Sequence, residues 1–169
     1  WKGYSLRMLG SDRADREYRT NTGNLTPWRG EAVPPNSKIL VTCEQGMGDV
    51  LMVFRFAQLL RQYFMNVGFT VHAPLVVLCQ SNSQPGVKII RWIKAPAPTE
   101  EYTHTICLMD LPAAFGASPE NIPKNPYIRA SSTQNPGLTE ILNNLLRIPK
   151  FKVGVVWQGG KVSVAKGRD

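Results

Sequence analysis

Apolar and polar residues follow two different periods along this chain. From Lys38 to Cys43, KILVTC is a short apolar, β-rich run bounded by polar turns, which predicts a buried strand. The period then changes. In GDVLMVFRFAQLLRQYFMN, Val50, Phe54, Ala57, Leu60 and Phe64 recur at helical spacing, while Arg55, Gln58 and Gln62 share another face. That spacing predicts a helix, with Gly68 as its terminator. FTVHAPLVVLC (69–79) predicts the next strand, bulged or broken at Pro74. VKIIRWI (87–93) and HTICLM (104–109) predict a third and a fourth strand, LPAAFG a short helical turn, and PYIRA (126–130) a short extended piece. Residues 135–148 predict a helix with Leu138, Ile141, Leu142, Leu145 and Leu146 on its apolar side. FKVGVVWQGG closes the readable part with an apolar strand and a glycine pair. No internal repeat or low-complexity tract is present.

Strands alternating with helices predict the α/β class: a Rossmann-like, mostly parallel sheet flanked by helices. One connection does not fit simply. Between Cys79 and Val87 only QSNSQPG remains, too short for the crossover helix that a parallel neighbour needs, so this pair is expected to be antiparallel or the strand order irregular. Residues 1–36 hold turn chemistry and few patterned apolar residues. They are expected to form a lead-in segment, with room for the tail of a helical repeat, docked on the surface through Trp1, Tyr4, Leu9 and Trp28. Residues 37–134 form the expected domain, and 135–169 a connecting helix and the first strand of another. A first residue Trp1 and a last residue Asp169 inside a glycine-rich polar run lead to the expectation that the chain is a piece of something longer.

Composition narrows the class. With 169 residues and a 43% apolar share, the chain can bury a core of its own. No apolar run approaches the ~20 residues that cross a bilayer, and residues 1–20 lack the apolar segment of a signal peptide. Three widely spaced cysteines do not make a disulfide framework, and a reducing, cytoplasmic setting is expected. The net charge is +8, and the end is skewed: Arg147, Lys150, Lys152, Lys161, Lys166 and Arg168 stand against Asp169 alone. Such a skew suits either a solvated face or a phosphate-bearing ligand. The aromatics do not interleave with the basic residues, so nucleic acid is not an expected partner.

The spacing of metal ligands is absent: there is no C-x-x-C and no H-x-x-x-H, and neither a metal nor another cofactor is expected. Cys43, Cys79 and Cys107 near predicted strand ends read as buried small apolar residues, and His72 as structural. EQGMGD holds more chemistry. A strand feeding a glycine turn and then a helix offers backbone N–H groups at a helix N-terminus, and Gly46 and Gly48 permit a tight turn and close approach of a ligand. The dinucleotide fingerprint is incomplete, because Leu51 takes the third glycine's place and residues 66–80 contain no acid to hold a ribose. Asp49 in the first turn either caps the helix or acts as a base. A second loop, Gln158, Gly159, Gly160 and Lys161, with Lys166 and Arg168 beyond, is either a phosphate-binding loop or an ordinary exposed one.

Three stretches carry a resemblance. WRGEAVPPNSKILVTCEQGMGDVLMVFRFAQLL resembles the start of the catalytic region of bacterial glycosyltransferases that follow tetratricopeptide repeats, relatives of the heptosyltransferases and O-GlcNAc transferases. Trp28, Gly30, Glu44, Gln45, Gly46, Gly48, Asp49, Arg55 and Phe56 carry it. HTICLMDLPAAFGASPENIPKNPYIRA is similar to a second stretch of that family through His104, Leu111, Pro112, Phe115, Gly116, Ile122, Pro123, Pro126 and Tyr127, with Asp110 where serine is usual. KVGVVWQGG resembles a third.

The resemblance implies the N-terminal, acceptor-facing half of a GT-B glycosyltransferase, inverting and metal-independent, with the chain stopping just inside the C-terminal domain. It implies a nucleotide-sugar donor and a protein or glycan acceptor as partners, together with that C-terminal domain. It assigns Asp49 as general base, Gln45, Gly46, Met47, Gly48 and His104 to substrate binding, and Gln158, Gly159, Gly160, Lys161 and Arg168 to the donor phosphates. The alternative that the residues leave open is a non-catalytic Rossmann-like ligand-binding or protein-interaction module.

Overall fold

The computed structural model describes residues 22–43, 46–92, 99–129 and 136–155. The chain divides into two units, Trp1–Ser131 and Ser132–Asp169. In the first, strands β1 (Thr26–Pro27), β2 (Lys38–Thr42), β3 (Asn66–Val71), β4 (Val87–Arg91) and β5 (His104–Cys107) form one sheet in the order β1-β5-β2-β3-β4. Every neighbouring pair is parallel. Counted from β2, the four main strands read 3-2-1-4, the order of a mononucleotide-binding half. The class expected from the pattern, an α/β parallel sheet flanked by helices, is the class observed.

The connection after β2 is a nearly continuous helical rod. Helix α1 (Met47–Val53) passes through a 3-10 turn (Phe54–Phe56) into α2 (Ala57–Leu60). Its apolar stripe, Val50, Val53, Phe54, Ala57 and Leu60, is buried on the sheet. Phe54 meets Phe69 of β3 edge to face at 5.5 Å. The rod ends sooner than the pattern predicts. Gly68 is not its terminator but lies inside β3, where a side chain would run into Tyr102: an added Cβ would stand 2.3 Å from the phenol oxygen.

The short connection between Cys79 and Val87 finds its explanation upstream. Residues 69–79 are not one strand. β3 ends at Val71, Ala73–Leu75 form a 3-10 turn, and α3 (Val76–Ser81) is the crossover helix itself. Pro74 falls in the first turn of that segment, where a proline's missing N–H leaves no bond unmade. β3 and β4 are parallel after all, in the register Val67↔Val87 to Val71↔Arg91.

Residues paired across parallel strands share a face. Ile39 and Val41, Val67 and Phe69, and Ile106 therefore point toward the rod. Leu40, Gly68, Thr70 and Thr105 point the other way, and Tyr102 covers Gly68 on that second face. Both faces are sealed: Ile39, Leu40, Val41, Val67, Phe69 and Thr105 have no solvent exposure. Each large apolar side chain buried in this way contributes about 1.5–3 kcal/mol.

The lead-in segment runs over the surface but sends two side chains, Thr22 and Trp28, into the interior. Thr22 is buried, Thr26–Pro27 pair with His104 and Thr105, and Trp28 is only 2% exposed. The Trp28 ring lies against Phe64 (5.2 Å) and Phe115 (5.6 Å), and its Nε1–H donates to Glu31 O. Two residues later Gly30 has φ +107, and an added Cβ would stand 2.3 Å from the carbonyl oxygen of Ala114 in helix α4 (Leu111–Ala114). A tryptophan, one residue, then a glycine is thus what seats β1 against α4. Trp1, Tyr4 and Leu9 lie outside the described residues.

In the second unit, α5 (Pro136–Arg147) forms where the period predicts it. Ile141, Leu142, Leu145 and Leu146 are exposed. Lys152 Nζ donates to Ile148 O just beyond its C-terminal end. The strand expected from Phe151 is not formed over the described residues 151–155, which carry no strand pairing; alternation alone cannot make a strand without a neighbour to bond. PYIRA likewise has no regular structure over 126–129.

Gly30→Ala combines an unfavourable backbone region with a backbone collision. It is expected to lower the free energy of unfolding by at least ~1–3 kcal/mol, read from a urea midpoint.

Candidate functional site at the end of strand β2

In open parallel sheets, ligands bind at the carboxyl ends of the strands, where the strand order reverses. Here the chain runs outward from β2 to β3 and β4, then returns to β5 on the other side of β2. The reversal falls between β2 and β5. The segment leaving β2 is the glycine turn, and the segment leaving β5 is a 3-10 turn, Leu108–Asp110, against which α1 packs.

The sheet fixes where the glycine turn starts. Cys43 N–H, the first amide beyond β2, donates to Thr70 Oγ1 at 2.6 Å, and the same hydroxyl donates to Val41 O at 3.1 Å. Thr70 is 3% exposed, so both bonds are shielded from water. Gly46 then opens α1: its carbonyl accepts from Val50 N–H at 3.2 Å, and its N–H donates to Asp49 Oδ2 at 3.1 Å. This is half of a capping box, since glycine has no side chain to return the bond. Asp49 does cap the helix and remains partly exposed. Glu44 and Gln45 lie outside the described residues.

The turn itself requires neither glycine. Gly46 has φ −67 and ψ 170, open to any residue, and Gly48 is helical. Among the described residues, a Cβ on Gly48 would meet nothing within 4 Å, and one on Gly46 only the flexible Asp49 carboxylate at 3.4 Å. Unlike Gly30 and Gly68, these two are required neither by the turn nor by packing. They leave the backbone bare, with Gly46, Met47 and Gly48 all exposed.

His104 is not brought to this turn. It is the first residue of β5, in register with Ile39, whereas the turn follows Thr42, three residues further on and roughly 10 Å along the strand. Its Nδ1 is 2.8 Å from Thr103 Oγ1, and its ring stands edge-on to Phe64. His72, read from the sequence as mid-strand, instead follows β3 at the same end of the sheet as the glycine turn, 5.2 Å from the Trp92 ring. Gln158, Gly159, Gly160, Lys161 and Arg168 lie outside the described residues. Cys43, Cys79 and Cys107 are buried and in no disulfide, and burial pushes the Cys79 thiol up to about 11.

Other contacts were not legible in the sequence. Arg55 Nη1 donates to Pro123 O (3.2 Å), Nη2 to the Tyr127 hydroxyl (3.0 Å) and Nε to Met52 O (3.1 Å), and the guanidinium lies 4.5 Å from the centre of the Tyr127 ring. Asn82, at the end of α3, exchanges two hydrogen bonds with the backbone of Arg129. The segment after α4 is thereby strapped to the helical layer. A cleft of about 370 Å³ opens at the opposite, N-terminal rim of the sheet, between Lys38 and Lys88. Among the described residues no group of three or more His, Cys, Asp or Glu could hold a metal, and no helix is long and apolar enough to cross a membrane.

Topology and turn together define a Rossmann-like α/β domain with a bare backbone at its switch point. No family model, curated protein or solved structure matches the chain.

Thr70→Val keeps the shape of residue 70 but removes the buried hydroxyl that accepts from Cys43 N–H. It is expected to cost about 1–3 kcal/mol. Hydrogen exchange should quicken at the Cys43 amide more than at Leu40 in mid-strand.

Proposed function

We propose that this chain is the acceptor-side domain of an inverting, metal-independent glycosyltransferase of GT-B architecture, acting with a second α/β domain that holds a nucleotide-sugar. The observation that carries the reading is the exposed Gly46–Gly48 backbone at the switch point, bare without a folding reason, with the Asp49 carboxylate beside it. A group bound over that backbone lies within reach of a base. In the reaction, Asp49 takes the proton of an acceptor hydroxyl, the oxygen attacks the anomeric carbon from the face opposite the leaving group, and a nucleoside diphosphate departs. Positive groups stabilise the charge on that diphosphate, a role assigned to the loop Gln158–Lys161 and Arg168. The resemblance in the sequence supports the same assignment.

The bond from Gly46 N–H to Asp49 favours a second reading, a non-catalytic ligand-binding or interaction module in which the carboxylate only caps α1.

Asp49→Asn tests the base assignment without removing the cap, because the amide oxygen still accepts the Gly46 N–H. In the polypeptide that joins this chain to its donor domain, the substitution is expected to lower kcat for transfer by about 10²-fold or more with the fold unchanged by circular dichroism. Full transfer by a folded Asp49→Asn protein rules out Asp49 as the base, whereas no transfer by the unsubstituted polypeptide establishes the second reading. Gly48→Ala should raise stability by up to ~1 kcal/mol through helix propensity and weaken acceptor binding, a split measured by thermal melts alongside KM.

A further inference from the structure

The cleft at the N-terminal rim of the sheet lies on the second face, away from the helical rod. The register Lys38↔Asn66, Gly68↔Lys88 puts these four residues on one face of three adjacent strands. Lys38 and Lys88 are two strands apart and offset by two residues, so their Cα atoms are roughly 12 Å apart with Gly68 between them. The ring of Tyr102 fills the space that Gly68 leaves. Tyr102 is only 8% exposed and lines the cleft, yet its hydroxyl has no hydrogen-bond partner among the described residues. A buried hydroxyl left unpaired costs free energy, and the cleft that Tyr102 lines offers room for a group that would satisfy it.

The neighbouring groups define that occupant. Lys38 Nζ and the Asn66 side-chain amide also make no hydrogen bond within the described residues. Lys88 is already bonded to Glu101 at 2.9 Å, and the Glu101 bond raises its pKa. Burial holds the Tyr102 phenol above its usual range, so at neutral pH it is a donor and not a phenolate. The charged lining is therefore two ammoniums and one carboxylate, a net charge of one positive. The volume of about 370 Å³ exceeds what an inorganic ion fills, and the Tyr102 ring supplies apolar lining.

We propose that this cleft, between Lys38, Asn66, Lys88 and the buried hydroxyl of Tyr102, binds a small organic monocarboxylate. The carboxylate lies between the Lys38 ammonium and the Tyr102 hydroxyl, with its apolar body against the ring. Glu101 selects against a second negative charge. The site is separate from the glycine turn, which leaves the other end of the same strands.

Titration of the isotopically labelled 169-residue chain with benzoate, followed by NMR, tests this. The expected result is saturable shifts at the Asn66, Val67 and Lys88 amides, with Kd on the order of 1 mM or tighter. Lys38→Met and Tyr102→Phe should each weaken binding about 5–10-fold. Without ligand, Tyr102→Phe should melt no lower than the wild type, because the hydroxyl it removes has no partner among the described residues to lose. Inorganic phosphate, mostly dianionic at pH 7.5, should bind more weakly than benzoate. The proposal is overturned by the absence of saturable shifts with benzoate, by phosphate binding as tightly as benzoate, or by unchanged affinity in folded Lys38→Met. A lower Tm for free Tyr102→Phe with undiminished binding would also overturn it, since the hydroxyl would then serve the fold alone.

Discussion

Strand β2 is bonded along both edges and buried on both faces, and that double enclosure organises everything around it. Its register with β3 and β5 decides which side chains meet the helical rod and which meet Tyr102. A residue slip would turn Ile39 and Val41 away from the rod and send Leu40 into their place. Enclosure also fixes the strand's last carbonyl and first free amide. The glycine turn leaves from a point held by Thr70, so the least regular part of the unit starts from its most constrained part. A rigid strand presenting a bare loop is the arrangement in which a scaffold can hold ligand-binding groups to fixed positions.

The glycines sort by what surrounds them. Gly30 and Gly68 stand where another atom already occupies the place of a side chain, the Ala114 carbonyl in one case and the Tyr102 phenol in the other. Gly46 and Gly48 stand in open space in ordinary backbone conformations. Only the second kind calls for an explanation outside the fold. The same distinction applies to hydroxyls: Thr70 and Thr105 spend theirs on strand carbonyls, whereas Tyr102 does not. The two ends of one sheet thus each carry an unexplained polar surface, one of backbone and one of side chains.

Period was a good guide to the elements and a poor guide to their ends. The stripe Val50–Leu60 was legible because a helix lying on a sheet must be apolar on one side, and KILVTC and HTIC because central parallel strands are apolar on both. Val76–Ser81 was misread as strand because Leu75, Val76 and Val77 extend the apolar run of β3, and six residues are too few to establish a helical period. Gly68 was misread because local chemistry cannot distinguish a glycine that ends a helix from one that yields its place to a distant tyrosine. For the site, the position of the glycine turn was legible and its geometry was not. Pro123, Tyr127 and Arg55 meet only after the sheet is folded, and Lys38, Asn66 and Lys88 come together only through strand register.

Seating β1 beside β5 also orders the events of synthesis. Trp28 leaves the ribosome before any of the four main strands exists, while its place against β5 and Phe115 is completed only after residue 115 has been made. At ordinary elongation rates of ~5–20 residues per second, the indole waits roughly 4–17 s without its seat. The nascent chain therefore carries an uncovered tryptophan while residues 29–115 are added, and the domain locks from its first strand only when its last has arrived.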